Sequence, residues 1–190
     1  MKSWYQLRTI SNGEPEIQLE DVDINTQMGL VAGERTAEAL RSRWCGAPLH
    51  GDILDGGPGV FVVSETFANV LRACGATGWT TLPVDVPGAR DRGYGLLVIT
   101  GRAGPIDWAR SARVTREARG PRRNPVLFLK GAYFDEGTWD GSDLFVPAST
   151  LIVVVSERVA VFVEQHGLRS VVLGPMAERL SYKGPLPSPD

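Results

Sequence analysis

The sequence predicts an α+β domain in which a mixed or antiparallel sheet carries two or three packed helices, arranged as two similar strand–helix–strand units. Three observations predict it. Short runs of Val, Leu, Ile and Phe, bounded by Gly, Pro or charge, recur along the chain at strand length. Helical spacing of apolar residues is confined to a few short windows. Finally, Val62-Val63-Ser64-Glu65 returns as Val154-Val155-Ser156-Glu157, 92 positions later. A chain of 190 residues, 43% hydrophobic and 22% charged, has the composition of a folded domain and can bury about 70% of its unfolded surface. We assign residues 1–183 to this one domain. Residues 184–190, Gly-Pro-Leu-Pro-Ser-Pro-Asp, are expected to be a loose tail, because proline cannot donate to a sheet.

Taken in order, Tyr5 to Ile10 and Glu16 to Ile24 alternate polar with apolar residues around Ser11-Asn12-Gly13, which predicts an amino-terminal hairpin. Glu34 to Trp44 carries Ala37, Ala39, Leu40 and Trp44 at helical spacing before Gly46 and Pro48, which predicts a helix. His50 to Gly59 reads as an acidic, glycine-rich loop. The two repeated segments then each predict strand, helix, strand. Ser64 and Ser156 suit N-caps, and Glu65 and Glu157 favour the positive end of the helix dipole. Gly75 and Gly167 suit the left-handed position that ends each helix. Phe67, Val70 and Leu71 form the apolar stripe of the first helix, and Val159, Phe162 and Val163 that of the second. Gly95 to Thr100 and Pro125 to Leu129 read as buried strands between the two units.

Composition narrows the chemistry. Cys45 and Cys74 match no CxxC spacing and are expected to be reduced, buried thiols. With His50 and Asp52 they could ligate zinc, but the spacing fits no structural zinc pattern, so no metal and no cofactor are implied. The glycine-rich stretch from Gly51 to Gly59 lacks the Lys-Ser or Lys-Thr of a phosphate loop, and Asp52 and Asp55 oppose phosphate. His166 is better explained as a helix-end cation than as a catalytic base, and His50 has no nucleophile context. Neither an apolar leader nor a run of about 20 apolar residues is found, so the expected location is cytoplasmic.

Charge is patched within a net of −2. Arg102 to Arg123 holds seven arginines, among them Arg110, Arg113, Arg116, Arg119, Arg122 and Arg123, against Asp107 and Glu117. Such a run can contact nucleic-acid phosphates, but a pI near 5.8 and Trp108 as its lone aromatic favour a solvated connector. Tyr133 to Phe145 combines four aromatics with four acids, a mixture that protein interfaces favour. The expected partner contacts are Asp135, Glu136, Trp139, Asp140 and Asp143, with Asp52 and Asp55 as a second acidic group. The competing reading packs Trp139 and Phe145 inward around an Asp140-Gly141 turn.

At this segment the sequence resembles immunity proteins of bacterial polymorphic toxin systems, especially the families abundant in myxobacteria that include the double-CXXCG type. The similar features are Thr100-Gly101-Arg102-Ala103-Gly104-Pro105-Ile106-Asp107, Phe134-Asp135, the Trp139 to Phe145 block and the Ser156-Glu157 helix start. Gly59 to Glu65 is similar to a related immunity domain of proteobacteria, so the likeness spans roughly residues 50–175. Cys45-Gly46 and Cys74-Gly75 lack the first cysteine of each CxxCG pair, so a zinc site is not carried over. The resemblance implies an antitoxin, not an enzyme, that neutralises a cognate toxin by direct binding in the cytoplasm. A basic nuclease domain is a frequent toxin of that kind, and acidic patches would speed its association. The alternatives are a hydrolase or transferase with a dispersed active site, and a nucleic-acid adaptor using the Arg102–Arg123 segment.

Overall fold

A computed structural model describes residues 2–10, 16–35, 37, 40–45, 51–89, 93–117 and 125–185. The two copies of Val-Val-Ser-Glu occupy equivalent places in it. In the first unit β4 (Ile53–Asp55), β5 (Phe61–Ser64), α2 (Glu65–Ala73), β6 (Trp79–Asp85) and β7 (Tyr94–Ile99) follow in sequence and assemble in the order β4-β5-β7-β6, every pair antiparallel. In the second, β11 (Leu144–Pro147), β12 (Val154–Ser156), α3 (Glu157–Gln165) and β13 (Val171–Pro175) take the same course. Its central strand comes instead from the amino terminus: β1 (Trp4–Thr9) lies between β12 and β13 where β7 lies between β5 and β6.

The registers agree strand for strand. Ile53 faces Val63 as Leu144 faces Val155. Ser64 faces Tyr94 as Ser156 faces Trp4, and Leu97 faces Thr81 as Leu7 faces Leu173. The chain is thus a permuted internal repeat in which each helix crosses over one antiparallel strand to reach a strand parallel to its own first one. The shared core follows from this symmetry. Leu7 with Leu97, Val63 with Val155, Phe67 with Val159 and Leu71 with Val163 are buried together, with α2 packed on α3. Burying that many branched side chains from both units stabilises one domain, each contributing about 1.5–3 kcal/mol.

Each unit is extended differently on its outer face. On the first, β2 (Ile17–Leu19) pairs with β3 (Leu40–Trp44), which joins β6 in parallel, and α1 (Ile24–Val31) closes a second core with Leu30, Val31, Val62 and Leu96. On the second, β8 (Gly101–Ala103) joins β11 in parallel, and a third core forms around Phe134, Phe145, Ile152 and Met176. A three-stranded antiparallel sheet, β14 (Leu180–Pro185), β10 (Val126–Lys130) and β9 (Ala112–Arg116), completes the molecule. No helix among the described residues is long and apolar enough to cross a membrane.

The α+β class with mixed and antiparallel sheets, the helices α2 and α3, Ser64 as N-cap and the positive φ of Gly75 (64°) and Gly167 (59°) agree with the sequence reading. Five expectations are corrected. The amino-terminal segments do not form a hairpin, because β1 is drawn into the second unit and β2 into the first unit's sheet. Glu34 to Trp44 is not a helix: Leu40 and Ser42 are buried while Arg41 and Arg43 are exposed, a period of two that sets β3, and the real helix α1 lies upstream behind Asp23, whose carboxylate accepts from the Asn25 and Thr26 amides. β10 is only half-buried, and β14 reaches Pro185, two residues into the expected tail, on a sheet edge where proline is tolerated. Cys45 is exposed and Cys74 half-buried, its thiol donating to the Leu71 carbonyl. Ser11 to Gly13, His50, and Arg119, Arg122 and Arg123 lie outside the described residues.

Candidate functional site

Phe134 forms an isolated bridge with Ile106, and the Asp107 amide donates to the Tyr133 carbonyl, so the acidic, aromatic segment is tied to the first part of the arginine-rich segment. Asp135 then caps a single 3-10 turn, Glu136–Thr138, by accepting from the Gly137 amide at 2.9 Å. Thr138 pins the turn from beneath: its hydroxyl donates to the Asp135 carbonyl and accepts from the Gly104 amide. Asp135 and Glu136 therefore stand exposed at fixed positions on a short, internally bonded turn.

Beside the turn lies a groove of about 1020 Å³. Its floor is apolar, from Ile106, Ala132, Phe134 and Met176, with Trp4 and Tyr133 on the walls. Asp107, Asp135 and Glu136 line one part of the rim, while Lys2 and Arg110 add two cations. The Arg110 guanidinium sits 4.9 Å over the Tyr133 ring, which fixes it by a cation–π contact. An apolar floor beneath a charged rim suits a peptide segment or a protruding loop of a protein partner.

The other expected contacts divide sharply. Trp139 is half-buried in an edge-to-face cluster with Trp4 at 4.9 Å, and Phe134 and Phe145 lie 5.2 Å apart in the same cluster. The Trp139 indole donates to the Ser142 carbonyl at 2.8 Å, and the Lys2 ammonium lies 4.4 Å over its ring. Trp139 packs against the core rather than projecting as an anchor, because its apolar body finds two aromatic neighbours in the fold, Trp4 and Phe145. Asp140 stays exposed but accepts from the Arg102 and Ser142 amides at 2.7 and 2.9 Å. Burial works against its ionisation, yet these bonds and the Arg102 charge hold its carboxyl below the usual range.

Asp52 and Asp143 turn inward as an equivalent pair. Asp52, only 8% exposed, accepts from the Ser64 hydroxyl at 2.9 Å and from the Arg169 amide at 2.7 Å. Asp143 accepts from the Ser156 hydroxyl at 2.7 Å, from the Thr77 amide at 3.1 Å and from Arg158 at 2.6 Å. Each carboxylate thus holds the start of its own unit's helix and the loop that ends the other unit's helix. Both are consumed as latches between units and are not available as surface acids. Asp55 is half-buried, accepting from the Thr9 hydroxyl and the Gly57 amide.

Trp4 and Lys2 carry no site signal in the sequence, and Asp107 and Arg110 stand out there only as part of the arginine-rich segment. Trp4 lies about 130 positions from the acids it joins, and nothing in its own neighbourhood signals that. Among the described residues no three His, Cys, Asp or Glu side chains come together in a way that could hold a metal ion. No model of a known protein family matches the chain, and no curated protein sequence matches it.

Proposed function

We propose that the chain is an immunity protein that binds and neutralises a cognate toxin domain in the cytoplasm, without turnover. The observation that carries this reading is the pair of exposed carboxylates, Asp135 and Glu136, held by an internally bonded turn at the rim of a large apolar-floored groove. Rigid presentation lowers the entropy cost of docking, and acids at a rim accelerate the approach of a basic partner such as a nuclease domain. The likeness of residues 100–107, 134–135, 139–145 and 156–157 to toxin-immunity sequences supports the same reading.

The test is protection. The carboxyl-terminal domain of a large secreted protein encoded beside this chain is expressed with and without it, and cell survival and direct binding are measured; no such neighbour would count against the proposal. Survival restored by the chain, and lost on Asp135→Lys with Glu136→Lys, is the expected result. Survival that never depends on the chain would sink the proposal.

A further inference from the structure

Along the chain the arginine-rich segment has Trp108 as its lone aromatic, but strand pairing sets two more beside it. In the β14-β10-β9 sheet Phe128 faces Tyr182 on one side and Val114 on the other, so the three form one row across the strands. Side chains alternate between faces. The next rows on this face are therefore Arg116 with Val126 in one direction and Lys130 with Ala112 and Leu180 in the other, each about 7 Å from the aromatic row. This is the outer face: Tyr182 is 63% exposed, whereas Leu129, on the opposite face, is 8% exposed.

The three strands carry Arg113, Arg116, Lys130 and Lys183 and no acid, in a chain whose net charge is −2. Lys183 lies 4.8 Å over the Trp108 ring, and Lys130 pairs with Glu178 at 2.7 Å, an exposed pair that water and salt weaken. Arg113 and Arg116 are exposed and form no salt bridge among the described residues; Glu117 is the acid that follows them at the end of β9. The Arg116 guanidinium sits 5.5 Å over the Phe128 ring, and Tyr182 meets Phe128 edge-on at 5.8 Å. Phe128 is thus a half-buried brace, and Tyr182 an open ring between two cationic rows. A base that is not paired stacks on such a ring, while the cations on either side neutralise its phosphates. An acidic peptide would use the cations but brings no flat ring at each residue to stack there.

We propose that the outer face of this sheet binds single-stranded nucleic acid, with Tyr182 stacked on a base and Arg116 and Lys130 against the flanking phosphates. None of these three residues lines the groove beside Asp135 and Glu136, so the site stands or falls independently of toxin binding.

The test is fluorescence anisotropy of labelled oligothymidylate and, separately, oligouridylate titrated with the full chain at several salt concentrations. Saturable binding that weakens with salt is expected for at least one, and the tighter of the two identifies DNA or RNA as the natural strand. Tyr182→Ala is expected to weaken binding about tenfold, the usual effect of losing one stacked base, and Tyr182→Phe to keep it. Arg116→Gln is expected to lower the slope of log affinity against log salt by roughly 0.7, one phosphate contact. Both residues are exposed, and circular dichroism checks that the variants fold. Absence of saturable binding to either strand, or a folded Tyr182→Ala variant that binds as tightly as the wild type, would overturn the proposal. So would polyglutamate that competes as well as unlabelled oligonucleotide, which would mark an acidic protein surface as the partner.

Discussion

Asp143 is the residue on which both units depend, since it joins the α3 start at Ser156 to the chain that follows α2 at Thr77. Burial disfavours its charge, but the Ser156 hydroxyl, Arg158 and the Thr77 amide outweigh this and hold its carboxyl below the usual value of 3.8. A depressed folded-state pKa contributes stability that is complete above the unfolded value. It is lost as pH falls from about 3.8 through the lower folded value. Asp143→Asn should therefore cost about 2 kcal/mol in urea unfolding at neutral pH and flatten the acid limb of the stability curve. Most of that cost belongs to the Ser156 and Thr77 bonds, because Arg158 is 55% exposed and its pairing is screened.

Ser64 and Ser156 permit a matched comparison. Ser64 donates to Asp52 and also accepts from the Phe67 amide at 3.1 Å, whereas Ser156 makes no cap bond and only donates to Asp143. Ser64→Ala should destabilise by about 1 kcal/mol more than Ser156→Ala, the usual worth of one helix cap, as read from chemical denaturation. Serine before glutamate at a helix start is legible in sequence. The inward turn of Asp52 and Asp143 is not, because the Arg169 amide that Asp52 binds lies 117 positions away.

At the scale of elements, β1 is the least expected and the most constrained. Chain termini usually fray, yet Leu7 is 1% exposed at the centre of the shared core, opposite its equivalent Leu97, also 1% exposed. Leu7→Ala should cost as much as Leu97→Ala, about 3 kcal/mol each, measured by thermal or urea unfolding. A much smaller loss at Leu7 would mean that β1 is not an integral strand. Local pattern located α2, α3 and β7 because their apolar stripes and end residues are strong on their own. It misplaced β3, where the alternation of Leu40, Arg41, Ser42 and Arg43 competed with upstream alanines at helical spacing. It could not pair β1, since strand partners are chosen by tertiary burial.

For the whole molecule, surface charge governs encounters. Asp135 and Glu136 are the acids of the expected set that remain exposed on a fixed turn beside the groove, and reversing both should slow association with a basic toxin about tenfold or more at low salt. The wild-type rate should fall with added salt and the variant's should not, as stopped-flow measurements can show. Reversal of Asp143 would be a poor substitute, because it breaks a latch inside the fold.

The sequence alone determined the class of the fold, the two central helices with their end residues and the repeated strand–helix–strand course. Each depends on spacing within about ten residues, which side-chain chemistry and backbone preference decide locally. Tertiary structure alone decided that the amino terminus supplies the second unit's middle strand and that Asp52 and Asp143 are internal latches, and it chose the inward packing of Trp139 between the two readings the sequence left open. Those outcomes are set by partners far along the chain, and they exist only once burial has brought those partners together.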